Sequence, residues 1–191
     1  MRKKFFNRFF YDMPKMETKH LLFRAIKRSD LDDIYEYSAN PNTSKYLLWG
    51  PHQSISDTRE FIEIVLSKYK SGEYNDWAIV YKETGKMIGT CGFTRIDTEN
   101  NLAEIGYVLN PNFWGKGLAT EAVEKVIEFA FNSLNINRVE AKFIFGNDAS
   151  LAVMKKVGMT FEGYQRDALL VKGKYCTIGT SSILKREYIL N

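Results

Sequence analysis

Apolar positions change period several times along the chain, and each change marks an element. HLLFRAI (residues 20–26) reads as a strand. Ser29 and Asp32 then stand at capping-box spacing before a helix that runs through about Ala39, with Asn40-Pro41 as its stop. YLLWGPHQSIS has no clear period and predicts an irregular connection. In DTREFIEIVLSKYKSG, residues Phe61, Ile62, Val65, Leu66 and Tyr69 share one helical face, and Gly72 terminates it. DWAIVYK and MIGTCGFTRI flank Glu83-Thr84-Gly85-Lys86 as an antiparallel hairpin, and AEIGYVL (103–109) reads as a further strand. TEAVEKVIEFAFNSL returns to helical spacing through Ala122, Val123, Val126, Ile127, Ala130 and Phe131. VEAKFIF follows as a strand, NDASLAVMKKVG as a short helix closed by Gly158, and LLVKGKYCTIGTSSIL as a hairpin turning at Lys172-Gly173. Hairpins mixed with helices, without strict strand-helix alternation, indicate an α+β sheet packed against helices and not a doubly wound one.

Composition narrows the picture. A chain of 191 residues that is 45% hydrophobic suits a single domain with a substantial core. The formal charge of +4 is contained in residues 1–15, where Arg2, Lys3, Lys4, Arg8 and Lys15 face only Asp12. The body of the chain is near neutral, which argues against direct nucleic-acid binding. Residues 1–15 therefore read as a basic, aromatic and flexible extension, ahead of a single domain over 16–191. Met16 as a second start is preferred to the alternative, a short amphipathic helix on an anionic surface. Cys91 and Cys176 lie in separate strands and read as core thiols in a reduced, cytoplasmic setting. No apolar run approaches a membrane span, and His20 and His52 are too isolated to suggest a metal site.

The chemistry is concentrated in WGKGLATEA (114–122), a glycine-rich joint between a strand and a long helix. Such a joint lets consecutive backbone N–H groups converge on an anion at the positive end of the helix dipole; a tight turn without a ligand is the other reading. It is no P-loop, because Lys116 is followed by Gly117 and not by Ser or Thr. It is no dinucleotide fingerprint either, since Thr120 stands where the third glycine belongs.

Four phrases in order, HLLFRAIKRSDLDDIYEY, MIGTCGF, AEIGYVLNPNFWGKGLATEAV and NDASLAVMKKVGMTFEG, resemble the GNAT N-acetyltransferases, specifically the branch of ribosomal-protein N-terminal alanine and serine acetyltransferases. The resemblance runs from about Glu17 to Tyr188. It implies a mixed, mostly antiparallel, twisted sheet of about seven strands flanked by about four helices, parted between the fourth and fifth strands. It also implies acetyl transfer from acetyl-CoA to an amine, with no metal.

On the family's [RQ]-x-x-G-x-[GA] signature, Trp114 takes the Arg/Gln place and Gly117, Leu118 and Ala119 the last three, so Trp114, Gly115, Lys116, Gly117, Leu118, Ala119 and Thr120 are expected to cradle the CoA pyrophosphate. Lys116 reads equally as a charge at the diphosphate or as a solvated loop lysine. The strand ending at Val108 and Leu109 is expected to splay at a bulge and receive the pantetheine arm, with one of those amides as oxyanion donor. Glu104 matches the family's base, although the bare pattern gives an exposed strand position. Asn147 and Ser150 match an Asn-x-x-Ser motif beside the CoA arm, Ser150 near the sulfur; Asn147 also reads as a simple helix cap. Met154 stands where many relatives have a tyrosine acid. Trp49 and His52 are expected at the acceptor site, with simple loop packing as the alternative. The implied acceptor is a protein N-terminal α-amine; a polyamine, amino sugar or antibiotic, or a non-catalytic acyl-CoA-binding module, are the alternatives. Related enzymes pair as homodimers, which leaves that assembly open here.

Overall fold

The computed structural model describes residues 10–73 and 76–189. One sheet of eight strands orders as β1-β2-β3-β4-β5-β6-β8-β7. These are β1 (Met16–Glu17), β2 (Leu21–Arg24), β3 (Asp76–Tyr81), β4 (Lys86–Asp97), β5 (Leu102–Leu109), β6 (Arg138–Ile144), β7 (Thr160–Val171) and β8 (Lys174–Leu184). The helices are α1 (Leu31–Ser38), α2 (Pro41–Ser44), α3 (Ile55–Ser71), α4 (Leu118–Asn132), α5 (Asp148–Lys156) and α6 (Lys185–Ile189). The α+β class therefore holds, with one more strand than expected because β1 pairs through Met16 and Glu17 with Phe23 and Leu22.

Local chemistry sets the helix ends. Ser54 and Asp57 cap α3 reciprocally, and Gly72 closes it at φ 67°. The first helix starts differently from expectation. Asp30, not Asp32, accepts the Lys27 backbone N–H at 2.9 Å and binds Arg24 through both oxygens at 2.7 Å. Asp30 is buried, and a buried carboxylate requires such a partner, so the start of the element follows Arg24.

Met87–Phe93 of β4 is buried without a break because α1 packs on one face and α4 on the other. Residues 10–14, expected within a flexible extension, belong instead to this core. Phe10 is 1% exposed and meets Trp77, Phe93 and Phe129 edge-on at 5.9, 6.2 and 6.4 Å. The Trp77 indole N–H donates to the Pro14 carbonyl at 2.7 Å. The apolar area of Phe10 and Met13 outweighs the polar residues between them, so the packed region begins before Met16. Residues 1–9 of the expected extension lie outside the described residues.

Neighbouring strands run antiparallel except β5 and β6, which are parallel and joined by the α4 crossover. Their register is short: Leu102–Ile105 against Arg138–Ala141. Beyond it β5 stays with β4 as far as Leu109 and β6 stays with β8 as far as Ile144. The two strands part there, the opening expected between the fourth and fifth strands before β1 shifted the count. The bulge is not at Val108–Leu109, which pair regularly with Thr90 and Gly89. It is on β4, where Thr94 is the extra residue between the Phe93–Ile105 and Arg95–Glu104 pairs. Divergent neighbours open the gap, and no kink in β5 is needed.

Truncating Phe10 removes the ring that three other aromatics enclose. Phe10→Ala is expected to lower unfolding stability by about 3 kcal/mol, measured by urea denaturation; a change below about 0.5 kcal/mol, the scale of a surface substitution, would contradict the packing described.

Candidate active site

The joint after β5 is built in stages. Asn110 is buried, its N–H donates to the Ile88 carbonyl at 2.7 Å, and its side-chain oxygen accepts the Asn112 N–H at 3.0 Å. Glu36 of α1 gathers the side-chain amides of Asn110 and Asn112 at 2.8 and 3.1 Å on one oxygen and Lys86 at 2.5 Å on the other. Lys86 first and then Asn110 hold the Glu36 carboxyl below its ordinary range. This clamp fixes the turn Pro111–Phe113.

Trp114 then folds back, its indole N–H donating to the Leu109 carbonyl at 2.8 Å. That donor closes the loop on its own strand, so Trp114 offers no free side-chain donor to an anion. Lys116 is exposed and lies over the Phe113 ring, its Nζ 5.1 Å from the ring centre. Gly115 and Gly117 have φ of 74° and 79°, a region that favours glycine, and Gly117 begins α4 with no side-chain cap. The first intrahelical bond joins Glu121 N–H to Gly117, so the amides of Leu118, Ala119 and Thr120 have no acceptor within the helix. The result is an exposed backbone cradle at the positive end of a long helix, suited to a phosphate.

The gap between β5 and β6 adjoins this cradle. Since the Asn110 N–H points to β4, strand alternation turns the Val108 amide the same way and the Tyr107 and Leu109 amides toward the gap. Of the two expected oxyanion donors, Leu109 thus faces the opening and Val108 does not. The Tyr107 side chain reaches α5, its hydroxyl 2.7 Å from Ser150 Oγ and 3.1 Å from the Ser150 carbonyl. Burial pushes the Tyr107 hydroxyl above its ordinary pKa, so it stays protonated. Asn147 caps α5, its oxygen accepting the Ser150 N–H at 3.3 Å, which fixes Ser150 opposite Tyr107.

Glu104 lies at the closed end of the gap on the face away from α4 and α5. Its register partner across the parallel pair is Glu140. Two carboxylates placed opposite each other repel, and the sheet compensates with cations. Lys142 Nζ sits 2.6 Å from Glu104 and 3.7 Å from Glu140. Arg138 bridges Glu140 at 3.3 Å and Glu162 at 2.5 Å, and with Ser182 it pulls the Glu162 carboxyl down to about 2. Thr94, the bulge residue, adds its hydroxyl to Glu104 at 3.1 Å. Arg138, Glu140, Lys142 and Glu162 line an open groove of about 410 Å³ along this face. A larger depression of about 750 Å³ on the outer side of α4 contains none of these groups.

Trp49 and His52 are not drawn into this constellation. His52 bonds Thr58 Oγ1 at 2.7 Å, packs between Trp49 and Phe61, and is shifted by burial toward the neutral form. Loop packing describes both residues. Tyr107, Lys142 and Glu36 were missed by pattern: a tyrosine on a half-buried strand reads as core, and charges on strand and helix read as solvated faces. The Glu-Ile-Gly-Tyr phrase was the one available signal for Tyr107. Among the described residues no cluster of His, Cys, Asp and Glu is placed to hold a metal, and no helix is long and apolar enough to cross a membrane.

Comparison with known proteins agrees with this architecture. The family described as "Acetyltransferase (GNAT) domain" matches residues 20–160. An uncharacterised N-acetyltransferase p20 of Bacillus licheniformis is 40% identical over 92% of this chain and 99% of its own length. A putative ribosomal N-acetyltransferase, YdaF of Bacillus subtilis, is 30% identical over 89% of this chain and 94% of its own. A spermidine N(1)-acetyltransferase of Vibrio cholerae is 22% identical over 88% and 95%. Among solved structures, a GNAT-family acetyltransferase from Bacillus anthracis superposes with a TM-score of 0.81 at 25% identity, covering 91% of this chain and all of that one. A ribosomal L7/L12 α-N-protein acetyltransferase in complex with coenzyme A shares the fold at 23% identity and a TM-score of 0.76, covering 90% and 98%. With a parted sheet, an uncapped glycine-led helix and relatives matched along nearly their full length, this chain belongs to the GNAT family of acetyl-CoA-dependent N-acetyltransferases.

Proposed function

We propose that the protein acetylates the α-amino group of a protein N-terminus. The observation that carries this reading is the charge ladder beside the gap. Glu104, Glu140 and Glu162 face Arg138 and Lys142, which leaves one negative charge in excess. One ammonium balances it. A polyamine brings several positive charges and asks for a more acidic wall. The similarity to a putative ribosomal N-acetyltransferase supports the same choice, and the relationship to a spermidine acetyltransferase keeps polyamines as the second reading to be tested.

In this reading the amides of residues 115–120 hold the acetyl-CoA diphosphate, and the pantetheine arm pairs with the open edge of β5. Trp114 contributes through the loop it closes, and Lys116 must leave the Phe113 ring to add charge. The Leu109 amide, aimed into the gap, donates to the oxyanion formed as the amine attacks the thioester. A free α-amine has a pKa of about 7.7–8.0 against about 10.4 for lysine. Modest proton removal therefore suffices, and Glu104 supplies it directly or through water. The amine nitrogen bonds to the acetyl carbon, the carbon–sulfur bond breaks, and the departing thiolate takes a proton from Ser150 Oγ. Tyr107 re-protonates Ser150 and regains its proton from solvent, in the role that the residue at Met154 does not fill, while the second proton of the amine leaves to solvent as the amide forms.

The acceptor is tested by measuring CoA release with short peptides beginning in Ser or Ala and, in parallel, with spermidine. Higher kcat/KM for the peptides is expected; preference for spermidine would overturn the acceptor assignment. Gly117→Glu is expected to weaken CoA binding by more than tenfold in calorimetry, because it adds charge and strain at φ 79°; unchanged affinity would remove the loop from the site. Glu104→Gln should lower kcat about 100-fold with CoA affinity intact, whereas a pH–rate profile like that of the wild type would clear it of the base role. For Ser150→Ala and Tyr107→Phe, each is expected to lower kcat about tenfold without raising KM for acetyl-CoA, and the double variant should be no slower than the worse single one. Multiplying effects would show that the two hydroxyls act independently.

A further inference from the structure

We infer that Lys142 is a self-acetylation site, modified by the acetyl thioester bound in the protein's own gap. The inference rests on Glu104 acting as the proton acceptor. An amine that gives its proton directly to Glu104 must bring its nitrogen within about 2.6–3.2 Å of the carboxylate. Lys142 Nζ already stands 2.6 Å from Glu104 Oε2. Lys142 is also the first residue of β6 beyond the last pair with β5, Ala141 with Ile105, so it flanks the opening along which the thioester is proposed to lie. Its side chain is 38% exposed and is held by ion pairs alone, so the amine can move the short way from carboxylate to carbonyl.

The step is the acceptor reaction with a tethered nucleophile. The Lys142 ammonium gives one proton to Glu104, and the neutral Nζ attacks the acetyl carbon. The C–N bond forms, the C–S bond breaks, and the electron pair goes to sulfur. The amide nitrogen loses a second proton as it forms. One of the two protons ends on the CoA thiol and the other in solvent, leaving Nε-acetyl-Lys142 and CoA. Tethering replaces a bimolecular encounter with an intramolecular one. The modification has an electrostatic consequence: acetyl-lysine is neutral, so Glu104 and Glu140 lose their shared cation. Arg138 is then the one cation left among Glu104, Glu140 and Glu162, and the excess of negative charge rises from one to two, one more than a single acceptor ammonium balances.

The test incubates the purified full-length protein with acetyl-CoA and no acceptor, then maps acetylated peptides by mass spectrometry over time. Lys142 is expected to gain one acetyl group at a first-order rate that tenfold dilution leaves unchanged. Labelling should be at least tenfold faster than at exposed Lys155, slow at least tenfold in Glu104→Gln, and vanish from this position in Lys142→Arg. An unmodified Lys142 overturns the inference, as does labelling no faster than at Lys155 and unaffected by Glu104→Gln. A parallel incubation with a Ser- or Ala-starting peptide separates the two levels. Peptide acetylation with Lys142 untouched defeats self-acetylation alone, and failure of both defeats the assignment of the site as well.

Discussion

The site depends on two parallel strands that share a short register and are then held by different neighbours. β4 holds β5 through the Gly89–Leu109 pair while β8 holds β6 through the Ile144–Ile178 pair, and past Ile105 and Ala141 the ladder between β5 and β6 ends. Unpaired backbone donors inside a sheet are costly unless something takes them up. Here they lie along an open edge, next to a helix whose first amides are also without partners. Both sets are backbone groups, which explains why the side chains at Trp114 and Lys116 can fold onto Leu109 and Phe113 and leave the cradle intact.

Each face of the opening has its own chemistry. On the helical face Tyr107 crosses to Ser150, which Asn147 holds through the cap of α5, so a protonated hydroxyl pair stands beside the gap. On the other face Glu104 stands among charges that neutralise one another nearly completely. The hydroxyl pair and the carboxylate are thereby separated by the thickness of one strand, a consequence of side chains alternating along β5. The clamp of Glu36 on Asn110 and Asn112 ties the joint to α1, so the cradle and the strand edge keep a fixed relation.

Much of the fold was legible in the chain, and the limits were physical. α3 and α4 announce themselves because apolar spacing is a local property, and Gly72 marks the end of α3 for the same reason. The glycine joint was visible for the same reason. Strand parting is a non-local property of register, and it entered only through family resemblance; the bulge at Thr94 could not be told from an ordinary strand residue. Phe10 looked like part of a basic tail because burial depends on Trp77, Phe93 and Phe129, which are distant in sequence. Glu104 and Ser150 were named by resemblance, but their partners Lys142 and Tyr107 come from other elements, and pattern carries no record of such pairs. For Trp49 and His52 the sequence offered an acceptor site or loop packing, and the contacts present are those of packing against Phe61 of α3.

Amide hydrogen exchange, resolved by residue with and without coenzyme A, reports whether the parted edge of β5 and the start of α4 take up the coenzyme. Saturating coenzyme A is expected to slow exchange at Tyr107 and Leu109 and at the amides of residues 115–120, while Val108, already turned to β4, changes little. Protection confined to other parts of the sheet, with these amides exchanging as before, would contradict that uptake.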